Sequence, residues 1–311
     1  MMRRGVSLIE VLVVIGIIGV LAAITVPAVM WSRESMRRMQ CQNHLKQIGV
    51  AIANFESQYG TLPRGGSVRY ELLPYLELSA LHAKRNLSGT TPDEIWGDVQ
   101  NVVVPLYLCP SDGAPASGIG VGASSNYQAC FGTGVLADGW NGMFRRGVES
   151  EPTDYARNVR SAEVTDGLSN TVAVSELLRG QGTMSERLRV VWNLPLYRSI
   201  ASQSDELARA CDQIPPDPVQ YGYHGDPGSL GTPWRTGDCG RGMYNHMLTP
   251  NRPSCYNGTH VATGVFTATS HHAGGVNALW GDGRVQFVSQ GIDSLVWRHC
   301  GSRAENIGDG L

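Results

Sequence analysis

Charge is scarce in this chain. Of its 311 residues 17% are charged, against roughly 25% in ordinary globular proteins. Lysine is rarer still: Lys46 and Lys84 are the two, so 23 of the 25 cations are arginine. With 27 acidic residues the net charge is -2, which excludes a broad basic face for nucleic acid. No two of the seven cysteines have the Cys-x-x-Cys spacing of a zinc ribbon or redox motif. Gly-x-Ser-x-Gly and His-Glu-x-x-His are also missing, so no catalytic residue is legible from either signature. A mainly disordered chain is excluded by 42% hydrophobic residues. Glycine, by contrast, is abundant at 38 residues, as in chains rich in turns and short strands.

One apolar run stands out. From Val6 to Trp31 the sequence reads VSLIEVLVVIGIIGVLAAITVPAVMW, with Glu10 as its one charge. About 20 apolar helical residues span a bilayer's hydrocarbon. Arg3 and Arg4 favour a cytoplasmic N-terminus, while Arg33, Arg37 and Arg38 beyond the run blur that rule. A cleaved secretory signal or a plain anchor would explain the run, but neither explains Glu10. A carboxylate at that depth costs roughly 2.5–3.5 kcal/mol on insertion scales.

The segment Arg3-Arg4-Gly5-Val6-Ser7-Leu8-Ile9-Glu10 resembles the cleavage and methylation motif of type IV prepilins and type II secretion pseudopilins. The resemblance implies cutting by a prepilin peptidase between Gly5 and Val6, with methylation of the new terminus. Glu10 would then be the fifth mature residue, the family's glutamate that meets a neighbouring subunit's N-terminal ammonium. Such a pair, formed between subunits, would offset the burial of the carboxylate. Gly19 and Pro27 fall where pilin helices carry a glycine and a helix-loosening proline, whereas Val6 replaces the usual Phe or Met.

The helix is expected to continue past the membrane. Cys41, Leu45, Ile48, Ile52, Phe55 and Tyr59 recur at helical spacing, opposite a mostly polar face. Gly60 and Pro63 then mark its end. Cys41, inside the stripe, reads as a buried thiol. Beyond it, residues 70–84 predict a short helical segment and residues 101–109 an extended run into a Cys109-Pro110-Ser111-Asp112-Gly113 turn. Strands are expected after Asn126-Tyr127 and over Thr171–Glu176, and a short helix over 292–299. Residues 180–260 show no clear period and read as a loop-rich insertion, whose aromatics suit sugar or peptide contact and core packing equally.

The clearest local signal is a hairpin. Val276–Trp280 and Arg284–Val288 flank Gly281-Asp282-Gly283, and an Asp-Gly pair predicts a two-residue type I′ turn. His272 lies nine residues before Asp282-Gly283. His and Asp could hold a metal or serve a nucleophile. The favoured expectation is structural: Asp282-Gly283 makes the turn and His272 bonds loop backbone at the hairpin's foot. Asp112, Asp166 and Glu176 could form a calcium site, though turn formation explains such aspartates more simply.

His272-x9-Asp282-Gly283 beside a prepilin start resembles the bacterial family catalogued as domain of unknown function 1559. Its further landmarks here are Gln42-Asn43 with Leu45-Lys46-Gln47-Ile48-Gly49, then Cys109-Pro110-Ser111-Asp112 and Asn126-Tyr127. Asp166–Thr171 with Glu176 and His272–Asn277 complete the series. The resemblance implies an α+β, pilin-like fold, with a long N-terminal transmembrane helix packed on an antiparallel β-sheet.

The expected organisation is a leader at 1–5, a long helix at 6–59 crossing the membrane at about 8–30, and an exported globular domain at 60–311. Within that domain lie the insertion at 180–260 and the hairpin at 271–289. Export makes disulfides plausible. Spacing alone leaves the connectivity open; loop closure favours Cys109–Cys130 and Cys239–Cys255. The expected partners are prepilin peptidase, pilin-like subunits and membrane lipid, with no nucleic acid, cofactor or metal. The expected role is a structural pilin-like or pseudopilin-like subunit in the cytoplasmic membrane, N-terminus inside, its domain periplasmic or extracellular. The alternative is an anchored binding module or enzyme that uses the 180–260 insertion.

Overall fold

The computed structural model describes residues 8–65, 68–86, 88, 92–117, 122–134, 141–145, 158–194, 204–237, 239–258 and 260–304. Helix α1 runs from Leu8 to Tyr59, 52 residues, or about 78 Å at 1.5 Å per residue. Its two halves differ. The apolar side chains from Leu8 to Trp31 are exposed, whereas Cys41, Leu45, Ile48, Ile52 and Phe55 are buried. Tyr59 lies exposed at the end of that stripe with its ring tilted on Phe55. Gly60, at φ +69, stops the helix by turning its N–H back to the Glu56 carbonyl.

The buried half of α1 lies on a sheet. In chain order the described strands are β1 (Tyr127–Cys130), β2 (Val172–Glu176), β3 (Val191–Asn193), β4 (Gly225–Asp226), β5 (Met243–Tyr244), β6 (Ser254–Asn257), β7 (His260–Val265), β8 (Gly275–Trp280) and β9 (Val285–Ser289). The main sheet has the order β5-β1-β2-β8-β9. It is antiparallel except where β5 joins β1 in parallel. Strands β2 and β8 are buried along their whole length, so the sheet is covered on both faces there, whereas edge strand β9 is mostly unburied. The fold is α+β, a long apolar helix with mixed sheets.

The described residues of 180–260 hold more regular structure than their sequence suggests. Strands β3, β4, β6 and β7 make a second sheet, order β4-β3-β6-β7, beside a helix at Ser204–Asp212. Trp192, Leu194, Leu207, Cys211, Ile214 and Cys255 are among its small core. Strands of two to six residues are too short to display a period. Trp192, Trp234 and Tyr244 are buried, so these aromatics pack the interior, while Tyr221 is exposed. Tyr197 lies outside the described residues.

One further expectation holds in part and another is corrected. The run at 101–109 is extended at Val102, Val104 and Leu108 and is interrupted by a 3-10 turn at Pro105–Tyr107; it joins no sheet, and Pro105 lacks the N–H a ladder needs. The cysteines pair as Cys41–Cys109 and Cys211–Cys255. Cys109–Cys130 and Cys239–Cys255 are therefore not formed, and Cys41 is not a thiol. The sequence favoured short loops, but the chain brings residues 68 and 44 positions apart to Cα separations of 5.2 and 5.7 Å.

Candidate functional site

The dispersed landmarks of the sequence converge on one buried junction between α1 and the sheet. Cys41, on the apolar face of α1, is bonded to Cys109. Asn126, just before β1, accepts the Cys109 N–H on Oδ1 at 2.9 Å. Glu176 ends β2 with its carboxylate buried. Asn277 of β8 donates to both its oxygens, backbone N–H to Oε2 at 2.8 Å and side-chain amide to Oε1 at 2.9 Å. Gln42 of α1 in turn donates to Asn277 Oδ1 at 3.0 Å. Burying an ionised carboxylate is costly without such donors, and here helix and strand supply them jointly.

His272 completes the junction. Its Nδ1 lies 2.9 Å from Glu34 Oε1 of α1, and its Nε2 lies 3.4 Å from Glu176 Oε1 and 3.6 Å from Cys109 Sγ. A carboxylate only accepts, so Nδ1 carries a proton toward Glu34. Burial works against the imidazolium, but the carboxylates of Glu176 and Glu34 outweigh it and raise the His272 pKa. The side chain thus bridges two acids, where backbone bonding was expected; its own N–H donates to Ser270 Oγ and its carbonyl accepts from the Gly275 N–H. Cys109 is held in the disulfide, so it offers His272 no thiolate to activate.

The hairpin that follows meets α1 at its other end. Lys46 Nζ donates to the Gly283 carbonyl at 2.9 Å. A Cβ on Gly49 would stand 2.9 Å from Leu279 Cδ1, so the missing side chain lets α1 sit down on β8. Glu34 and Lys46 are twelve residues apart, about 18 Å of helix. Five strand steps from Gly275 to Trp280 cover about 17 Å. The similar lengths let residues flanking β8 grip this stretch of the helix at Glu34 and at Lys46.

The turn itself differs from expectation. Trp280 N donates to Arg284 O at 2.8 Å and Gly283 N to Trp280 O at 2.9 Å. Three residues, Gly281, Asp282 and Gly283, therefore make the loop, and of these Gly283 alone takes a left-handed φ, +82. This is a type I turn closed by a glycine bulge. Asp282 does not need φ > 0; its Oδ1 accepts the Arg284 N–H at 2.9 Å.

Asp112 anchors the neighbouring loop. Its buried carboxylate takes Arg179 Nε at 3.0 Å and Arg189 Nη1 at 2.7 Å. Burial alone would raise its pKa; Arg179 and Arg189 outweigh that and hold it below the usual carboxylate value. The Asp112 oxygens are thereby taken by two guanidiniums and are not open to a calcium ion.

Sequence reasoning missed Glu34. The signal was a lone carboxylate among Arg33, Arg37 and Arg38, which reads as solvated charge until the fold brings His272 to it. Gly5 and Val6 lie outside the described residues, while Glu10 sits in the first turn of α1. Among the described residues α1 is the one helix long and apolar enough to cross a membrane, with a mean hydropathy of 2.8 in its richest window.

Residues 31–295 match the family described as a protein of unknown function (DUF1559), and residues 1–26 match the prokaryotic N-terminal methylation motif. No curated protein and no solved structure matches the chain. The methylation motif makes this a prepilin-type, peptidase-processed, pilin-like protein with an N-terminal membrane helix, and neither description is of an enzyme family. With the match spanning most of the chain and its landmarks gathered at one helix–sheet junction, the protein belongs to the DUF1559 family.

Proposed function

We propose that the protein is a structural, non-enzymatic subunit of a pilin-like assembly. Cleavage falls between Gly5 and Val6, leaving a helix at 6–59 and an exported domain at 60–311. The helix crosses the cytoplasmic membrane at about 8–30 with its N-terminus inside. Subunits of the same or a related type then associate through this segment, each Glu10 facing a neighbour's N-terminal ammonium. One observation carries the reading: the division of α1 into an exposed apolar half and a buried half. A plain anchor needs the first half only. A helix rigidly docked to its head from Glu34 to Phe55 supports a subunit whose heads must sit at a fixed angle to the packed stems. His272, Asp282 and Gly283 belong to that docking, as parts of the hairpin that grips α1.

Mass spectrometry of the mature terminus from native membranes tests the reading. The expected species begins at Val6 and is N-methylated. An intact Met1 terminus, or a cut between Ala22 and Ala28, overturns it in favour of an anchor or a secretory signal.

A further inference from the structure

We propose that Cys41, Cys109, Glu176 and His272 become the ligands of a zinc-class divalent cation when the Cys41–Cys109 disulfide is opened. The junction between helix and sheet would then be held by a metal in place of a covalent bond.

The donor set is already gathered. One ligand atom from each of the four residues lies within 4.8 Å of every other, and all four residues are buried. Tetrahedral zinc, with Zn–S near ~2.3 Å and Zn–N near ~2.0 Å, needs its donors roughly 3.3–3.8 Å apart. Closing from the present spread takes side-chain adjustments, not a movement of α1. Two thiolates, an imidazole and a carboxylate suit zinc better than calcium or magnesium, which prefer oxygen alone.

The outer contacts also fit. A metal-ligating histidine commonly gives its second ring N–H to a carboxylate, which fixes tautomer and ring orientation. Here Nδ1 faces Glu34 at 2.9 Å while Nε2 points to Cys109 and Glu176. Glu176 is oriented by the two bonds from Asn277, and the Cys109 backbone by Asn126. Four protein donors without a solvent-facing position make a closed site of the structural kind.

The chemistry balances as follows. Opening the disulfide takes two electrons and two protons from a dithiol reductant, which becomes a disulfide itself. The cation then displaces both thiol protons and, where the imidazole is protonated at both nitrogens, the Nε2 proton, and these pass to solvent. Nδ1 keeps its proton and donates it to Glu34.

The test uses the full chain in detergent, reduced with a dithiol, desalted under nitrogen and titrated with Co²⁺. The expected result is one cobalt per chain, with the visible bands of tetrahedral thiolate coordination, displaced by an equimolar amount of Zn²⁺. The oxidised chain should show none. Cys211→Ser with Cys255→Ser should keep the bands. Glu34→Gln, which spares all four ligands, should weaken binding by about tenfold or more. Absence of the bands in the reduced wild-type chain overturns the proposal, whether or not the chain stays folded, and needs no variant. Bands that persist in Cys41→Ser with Cys109→Ser overturn it equally, since they would arise from other thiols.

Discussion

Lys46 Nζ and the Gly283 carbonyl, 237 positions apart in sequence, meet at 2.9 Å. The contact joins the membrane-proximal helix to the tip of the hairpin, and Gly283 can present that carbonyl because its φ is +82. Gly283→Val should therefore destabilise the protein by about 1–3 kcal/mol through backbone strain. No atom lies near enough for a Cβ to clash, so strain is the whole effect. Gly283→Asn, which tolerates φ > 0, should be much milder. Thermal melts of the three proteins check the order, and equal losses for Val and Asn would point to another cause.

The disulfides predict a labelling pattern. In the unreduced, denatured protein Cys130, Cys239 and Cys300 should react with a thiol reagent, while Cys41, Cys109, Cys211 and Cys255 should not. Closing loops of 68 and 44 residues is worth about 4 kcal/mol each in the chain-entropy treatment. Reduction should lower the melting temperature clearly. Seven labelled cysteines would place the domain in a reducing compartment.

Two buried histidines predict opposite pH arms. His272 has a raised pKa, set by burial against the stronger effect of Glu176 and Glu34. Its contribution is complete below the unfolded value near 6.5 and is lost as pH rises through the higher folded value. His246 is the reverse. Burial pushes it down to about 3, and its Nδ1 faces the Trp297 carbonyl at 2.7 Å. That contribution is present above 6.5 and is lost as pH falls toward 3. Melting temperature against pH should thus fall on both sides, and His272→Gln should flatten the alkaline arm alone. An unchanged alkaline arm in the variant would remove His272 as its source.

Glu10→Ala should leave membrane insertion intact or improve it, since a carboxylate inside the bilayer costs roughly 2.5–3.5 kcal/mol. Association between subunits should fail. Tagged and untagged copies expressed together provide the readout: the wild-type pair should co-purify and the mutant pair should not. Undiminished co-purification of the mutant would contradict the assembly reading.

Much of the architecture was readable from local pattern. The apolar run, the stripe from Cys41 to Phe55, the stop at Gly60 and the hairpin around Asp282-Gly283 each depend on residues near one another in sequence. The junction was not readable as a junction. Cys41, Cys109, Glu176 and His272 come from four separate segments, and nothing in their spacing says that they meet. Glu34 was hidden for a related reason, since a charged residue beside three arginines looks like helix surface. The second sheet escaped because strands as short as Val191–Asn193 carry too few residues for an alternation to appear. The turn was misjudged by one residue: Asp-Gly suits both a two-residue loop and a three-residue loop, and the Trp280–Arg284 pairing chose the latter.

The position of the Cys41–Cys109 bond has a mechanical consequence. Force drawn through the stem enters the head at Cys41, and the covalent bond passes it to Cys109 and so to the body of the domain. The helix from Gln42 to Tyr59 is thereby removed from the load path, and the 68-residue span closed by the bond cannot pay out as extended chain. Because α1 and β8 run in the same direction, with Glu34 beside His272 and Lys46 beside Gly283, these contacts take up the load in shear along their length once the bond is opened. They must yield together and cannot be peeled one at a time. Reduction would convert a stiff tether into an extensible one, and single-molecule pulling from the N-terminus should then show roughly 70 residues of additional contour length, each worth about 3.3–3.6 Å.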